Sequence, residues 1–228
     1  MNNVSKMALL ALAASAGAAT AADFMAEFED IHGRNQSILI DGVAQNAGHM
    51  EYTYSGPIPT NAVGQFRNNT FFTFCIELQQ VSRNPEPWDI RSISDAPNPA
   101  SSNGGMPYGS SDEQEVHAVM AAAISLGWLN SDLSLGTASQ NELAAIQGMI
   151  WKVLFDGSTV EGNTGGVIAS MATLEAAAAA DPNARVQNLR AMSNPDAQDQ
   201  LYIVPLPTAA LAGLAMLGGL AGARLRRR

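Results

Sequence analysis

The chain has 228 residues, of which 21 are acidic and 12 basic, and a net charge of −9. Such a surface repels phosphate backbones and anionic lipid, so nucleic-acid binding is set aside. The single cysteine, Cys75, has no disulfide partner within the chain and needs a reason in chemistry, in packing or in a partner outside it.

Residues 1–22 read as a signal peptide. Met1 to Lys6 carries one positive charge, Met7 to Gly17 is a run of small apolar residues, and Ala19-Thr20-Ala21 offers the A-x-A pattern of a cleavage site. The run is shorter than the roughly 20 residues of a spanning helix. Removing both ends of the chain leaves a body over 23–203, roughly 180 residues and enough for one domain with a core. That body keeps 7 basic residues against 21 acidic ones, a charge near −14.

From Phe24 to about Ile93 the short runs "SILIDG", "HMEYTYSG", "TFFTFCIEL" and "PWDIRSI" predict strands, broken by Gly, Pro and Asn. Residues 94–111 form a long Pro/Gly/Ser/Asn loop, the expected boundary with a helical second half. Ser111 with Gln114 predicts a capping-box start for a helix to about Leu126, and Ser139 with Glu142 another to about Phe155. An alanine-rich third helix is expected from about Val167 to Ala180, stopping at Asp181-Pro182. A polar linker, "SNPDAQDQ", then leads to a short strand or extended tail, "QLYIV". The expected class is α+β, with a sheet or sandwich-like N-terminal half and a helical second half.

After Val204-Pro205-Leu206-Pro207 come sixteen uncharged residues and then "RLRRR". At about 1.5 Å per residue that run spans roughly 24 Å, which flanking arginines can extend by snorkelling, and the arginines should stay cytoplasmic. Pro205, Leu206 and Pro207, the apolar run and Arg224, Arg226, Arg227 and Arg228 resemble the PEP-CTERM class of bacterial sorting signals in its VPLP variant. The resemblance implies an inner-membrane anchor over 204–228 and cleavage near the prolines by an exosortase-type enzyme. Display at the cell surface or in the extracellular matrix of a Gram-negative bacterium follows. A plain single-pass anchor is the alternative.

Two residues stand out in the body. On the helix from Ser139, the residues Leu143, Ile146, Ile150 and Leu154 form an apolar stripe, with Gln147 inside it at 40° and Trp151 bordering it at 80°. A buried amide costs on the order of 1–3 kcal/mol unless it is hydrogen-bonded or chemically consumed. On the strand, alternation puts Phe72, Phe74, Ile76 and Leu78 on one apolar face, and Phe71, Thr73, Cys75 and Glu77 on the other. Cys75 should therefore face solvent or a mixed second layer, for which the helix bearing Gln147 is the natural candidate.

"FCIEL" on a strand and "AAIQGMIWKVL" on a helix resemble the Cys–Gln thioester domains of bacterial surface proteins, whose motifs are an aromatic-Cys pair and a Gln-x-Ala-Ile-Trp segment. The match covers those two short motifs, and Met149 stands where the family commonly has Ala. The resemblance implies that Cys75 supplies the sulfur and Gln147 the acyl carbon of an internal thioester. An amine- or hydroxyl-bearing surface ligand would then take up the acyl group, with no cofactor and no turnover. Glu77 could shuttle a proton, or simply be solvated; Trp151 could shield the acyl group, or be ordinary core. The alternative for the pair is inert packing, a small apolar thiol beside a glutamine bonded to the backbone, in a non-covalent structural component of the extracellular polysaccharide matrix. His32, His49 and His117 lack metal-ligand spacing, and no G-x-S-x-G elbow, Walker loop or dinucleotide fingerprint is present.

Overall fold

The computed structural model describes residues 24–33, 36–54, 70–82, 86–97 and 99–204. The signal peptide over 1–22 lies outside the described residues. So does the sorting tail beyond Val204, with Pro205, Leu206, Pro207, Arg224, Arg226, Arg227 and Arg228.

In chain order the elements begin with six strands: β1 (Phe24–His32), β2 (Ser37–Ile40), β3 (Val43–Asn46), β4 (His49–Tyr54), β5 (Thr70–Cys75) and β6 (Glu86–Arg91). Then come the helices α1 (Ser110–Ser125) and α2 (Gln140–Leu154), strand β7 (Val160–Gly162), helix α3 (Gly165–Ala180), and the strands β8 (Leu189–Asn194) and β9 (Ala197–Ile203). Six of the strands close an antiparallel barrel in the order β1-β4-β5-β9-β8-β6, with β6 pairing back onto β1. A separate three-stranded sheet, β3-β2-β7, lies beside it. The described residues thus form an α+β single domain built on a six-stranded barrel with three α-helices.

Aromatic residues fill the barrel. Tyr52 on β4 meets Trp88 on β6 edge-on, with centroids 6.0 Å apart, and Tyr54 shares a 2.6 Å hydroxyl hydrogen bond with Tyr202 on β9. Neither pair of strands is adjacent, so both contacts cross the interior. Phe71 packs on Tyr52, Tyr54 and Tyr202 at 4.9–5.7 Å. Burying each such side chain is worth about 1.5–3 kcal/mol, which makes this cluster the main support of the closed sheet.

The small sheet forms for a local reason. Asp41-Gly42 sits at positive φ on both residues, 50° and 79°, the turn that matches the twist of a two-residue hairpin between β2 and β3. Ile38 and Ile40 are buried, and α2 packs against β2 and β7 of this sheet and against both α1 and α3.

The helices keep their predicted places with one exception in mechanism. Ser139 caps α2 with both halves of the box made: Glu142 N–H donates to its Oγ at 3.4 Å, and its own N–H donates to Glu142 Oε2 at 2.6 Å. α3 begins at Gly165, capped by Thr164, two residues before the expected start. The Ser111–Gln114 box at α1 is not made. The helix starts one residue earlier, behind Gly109 at φ 94°, and Gln114 donates instead to the carbonyls of Pro182 and Ala184. Its amide ties α1 to the segment after α3.

The expected division into a sheet half and a helix half is corrected by the last two strands. β8 and β9 follow the helices and complete the barrel, and the polar "SNPDAQDQ" is a hairpin within it. Asn194 Oδ1 accepts the Asp196 N–H at 2.7 Å, the short side-chain turn that lets Asn and Asp reverse a chain.

Candidate functional site

β5 and α2 bring Cys75 and Gln147 together across 72 residues of sequence. β4 pairs with β5 only as far as Met50 opposite Thr73, whereas β9 continues to Gln200 opposite Cys75. Past that point the Cys75 main chain needs other partners on the β4 side, since buried peptide groups are almost always paired. Gln147 supplies them. The Cys75 N–H donates to Gln147 Oε1 at 2.9 Å, and Gln147 Nε2 donates to the Cys75 carbonyl at 2.7 Å.

Both residues are 1% exposed. The side of the β5 segment that carries Cys75, with Phe71, Thr73 and Glu77, is buried throughout, and on the opposite, wholly apolar side Phe74 and Ile76 are buried while Phe72 and Leu78 are half-buried. Of the expected alternatives for Cys75, solvent is excluded: it shares the barrel-facing side of β5 with Phe71 and Thr73, and α2 reaches it at the strand edge through Gln147.

Main-chain groups of Glu77 surround the sulfur. The Cys75 thiol donates to the Glu77 carbonyl, and the Glu77 N–H donates to Sγ at 3.3 Å. The same carbonyl accepts Gln198 Nε2 at 2.9 Å, and Glu77 Oε2 accepts the Asp199 N–H at 3.3 Å. Glu77, at 1% exposed, is not the solvated acid that its type suggests. Tyr108 donates to the Ile76 carbonyl and holds the chain just beyond the cysteine.

Burial pushes the Cys75 thiol well above its ordinary range. The Glu77 main chain and the Trp151 indole act against that shift, and the charges of Glu77 and Asp199 add to it. At neutral pH the sulfur carries its proton.

Trp151 lies one turn beyond Gln147, is 2% exposed, and has no acceptor at hydrogen-bond geometry for its Nε1. Its N–H stands near enough to the sulfur to favour a thiolate there, but the bond itself is not formed. Cys75, Gln147 and Trp151 line one cleft of about 340 Å³, together with Gln45, Met50 and Gln198. Trp151 is thus both core and lining.

The histidines stand elsewhere. His49 stacks on Phe72 and Phe74, the face of β5 opposite Cys75; His32 bonds Glu51 at 2.6 Å; His117 Nδ1 accepts the Val186 N–H at 3.2 Å. Among the described residues no group of three or more His, Cys, Asp or Glu is placed to hold a metal, and no helix is long and apolar enough to cross a membrane.

Sequence reasoning missed Gln198, Asp199 and Tyr108 around the sulfur. Their positions depend on the β8–β9 hairpin, which the sequence presents as a linker, and on the path of the 94–111 loop, whose composition marks a loop but not where Tyr108 points. Comparison with known proteins gives no match: no family model fits the chain, and neither a curated protein nor a solved structure matches it.

Proposed function

We propose that Cys75 and Gln147 condense to an internal thioester and that the chain is an exported surface or matrix protein that attaches covalently to an amine- or hydroxyl-bearing target. The observation that carries this reading is the seating of the Gln147 carboxamide on the Cys75 main chain, both buried, at the wall of a cleft.

The chemistry follows from that seating. Cys75 Sγ attacks Gln147 Cδ, the Cδ–Nε2 bond breaks, and the thiol proton leaves with the nitrogen as ammonia. The Cys75 N–H, already on Oε1, holds the oxygen as negative charge develops there. Aminolysis reverses the roles: the amine nitrogen bonds to Cδ, the Cδ–S bond breaks, and the sulfur takes up the proton. Thiolate is a good leaving group, because an ordinary thiol has a pKa of about 8.5. The product stays attached, so the protein acts once and is no catalyst. Delivery follows from the tail: insertion in the inner membrane, processing by an exosortase-type enzyme, and release to the surface.

A non-covalent matrix component is the second reading, and the same hydrogen bonds favour it, because they satisfy the Gln147 amide without any reaction. Intact mass separates the two. Under the thioester reading the purified protein weighs one ammonia less than its sequence, and methylamine adds at Gln147 while releasing a titratable thiol at Cys75. Cys75→Ala and Gln147→Ala each abolish both effects. Full sequence mass with Cys75 open to alkylation after unfolding would leave the matrix reading in place.

A further inference from the structure

A buried indole N–H nearly always finds an acceptor, yet that of Trp151 has none. The Cys75 main chain, the Gln147 amide and the Glu77 carbonyl beside it each hold their hydrogen bonds. An idle donor in such a place calls for an acceptor that arises later. Helical spacing puts Trp151 on the same side of α2 as Gln147, and both open onto the cleft that holds the sulfur.

We infer that the Trp151 indole N–H is a catalytic hydrogen-bond donor for the thioester chemistry, completing with the Cys75 N–H a two-donor cradle for Gln147 Oε1. This rests on the thioester reading above. The shared cleft supports it: Trp151, Gln147 and Cys75 all line it, and once Sγ bonds to Cδ the sulfur and the oxygen share a carbon, which draws Oε1 toward the sulfur side of the cleft. In the unreacted protein the oxygen has the Cys75 N–H alone. Once joined to sulfur it accepts a second bond, which strengthens as the oxygen takes a full charge in the tetrahedral intermediate. The cradle serves twice, since the intermediate in formation and the one in aminolysis carry their charge on the same atom. Trp151 is also neutral and cannot trap the ammonia or the amine as a salt. The nearby effect of this N–H on the sulfur points the same way.

The test uses Trp151→Phe in the full chain, which keeps an aromatic ring and removes the donor. One oxyanion donor is worth about 10²–10³ in rate, so methylamine incorporation should slow by about that factor while the thermal transition shows a single folded state. A rate within about twofold of the parent, in a folded variant, overturns the inference. Should Trp151→Phe fail to fold, the indole Hε1 resonance of the parent decides. It should move downfield in the joined protein relative to Cys75→Ala, where no bond forms; an unmoved resonance overturns the inference. Absence of the ammonia mass loss in the parent overturns the thioester reading and this one together, whereas a normal loss with an unaffected Trp151→Phe rate overturns this one alone.

Discussion

Strand β5 meets one buried polar side chain at its edge and another against a face, and it keeps them by opposite means. At the edge beside Cys75, Gln147 is held by two hydrogen bonds to the Cys75 main chain. On the face opposite the cysteine side chain, His49 is fully buried between Phe72 and Phe74, stacked at 4.6 and 4.9 Å, and neither ring nitrogen reaches hydrogen-bond geometry. Burial, with a smaller contribution from the nearby His32, lowers the His49 pKa to about 3, and the Leu133 backbone opposes the shift. One polar group is kept by bonding, the other by staying neutral. A neutral ring can stack like an aromatic, whereas a carboxamide has no such option and must find partners.

The sharpest way to break this comparison is to take the partners away. In a Cys75→Ala background, where no thioester can form, Gln147→Leu leaves the Cys75 N–H and carbonyl unpaired in the interior. At about 1–3 kcal/mol for each orphaned group, a loss of about 4 kcal/mol is expected in urea unfolding. A loss below about 1 kcal/mol would mean that water reaches the strand edge and that the glutamine is not what closes it.

Acid attacks the other face. Unfolded His49 takes up a proton near its ordinary pKa of 6.5, but the folded ring does so only near 3. Between these values the unfolded chain binds more protons, so the contribution is complete above about pH 6.5 and is lost as the pH falls toward 3. At about 1.4 kcal/mol per pH unit the loss reaches about 3 kcal/mol by about pH 4. Carboxylates titrate lower in the same range, so the informative quantity is the parent minus His49→Leu. That difference should fall with acidity; a difference independent of pH would show that the folded protein admits the charged ring.

The same contrast explains what was legible in the sequence. Gln147 could be placed inside an apolar stripe because α2 is regular and its capping box is real. Strand alternation made its helix a candidate neighbour of Cys75, and the resemblance paired the two residues; the contact itself was not legible, since what Gln147 touches is main chain and carries no side-chain signature. The strands with alternating aromatics were readable; of the last hairpin only the "QLYIV" end of β9 was, as a short strand or extended tail, and β8 was not. Ser193, Asn194, Asp199 and Gln200 are all buried, at 0–3% exposure, so a strand pair inside the core has the composition of a linker. Ser111 and Gln114 misled for a related reason: the right residues at the right spacing were drawn to a tertiary partner, and Gly109 began the helix.

A smaller effect tests whether the cysteine face depends on how closely α2 lies against its neighbours. Gly148 follows Gln147 but points about 100° away around the helix, toward the small sheet rather than β5. A Cβ there would lie 2.6 Å from Ile38 Cδ1 and 3.2 Å from Met171 Sδ. Ile38 is fully buried, so its terminal methyl has little room to yield. Replacing the glycine by alanine gains about 1 kcal/mol of helix propensity, but overpacking costs about 1–3 kcal/mol, so Gly148→Ala should destabilise by about 1 kcal/mol net. Because the strain falls on Ile38 and Met171, the Gln147 hydrogen bonds should survive, and mass loss and methylamine addition should match the parent. Loss of both with little change in stability would mean that the spacing between α2 and β2 sets the seat of the carboxamide, and that the site extends to the second sheet.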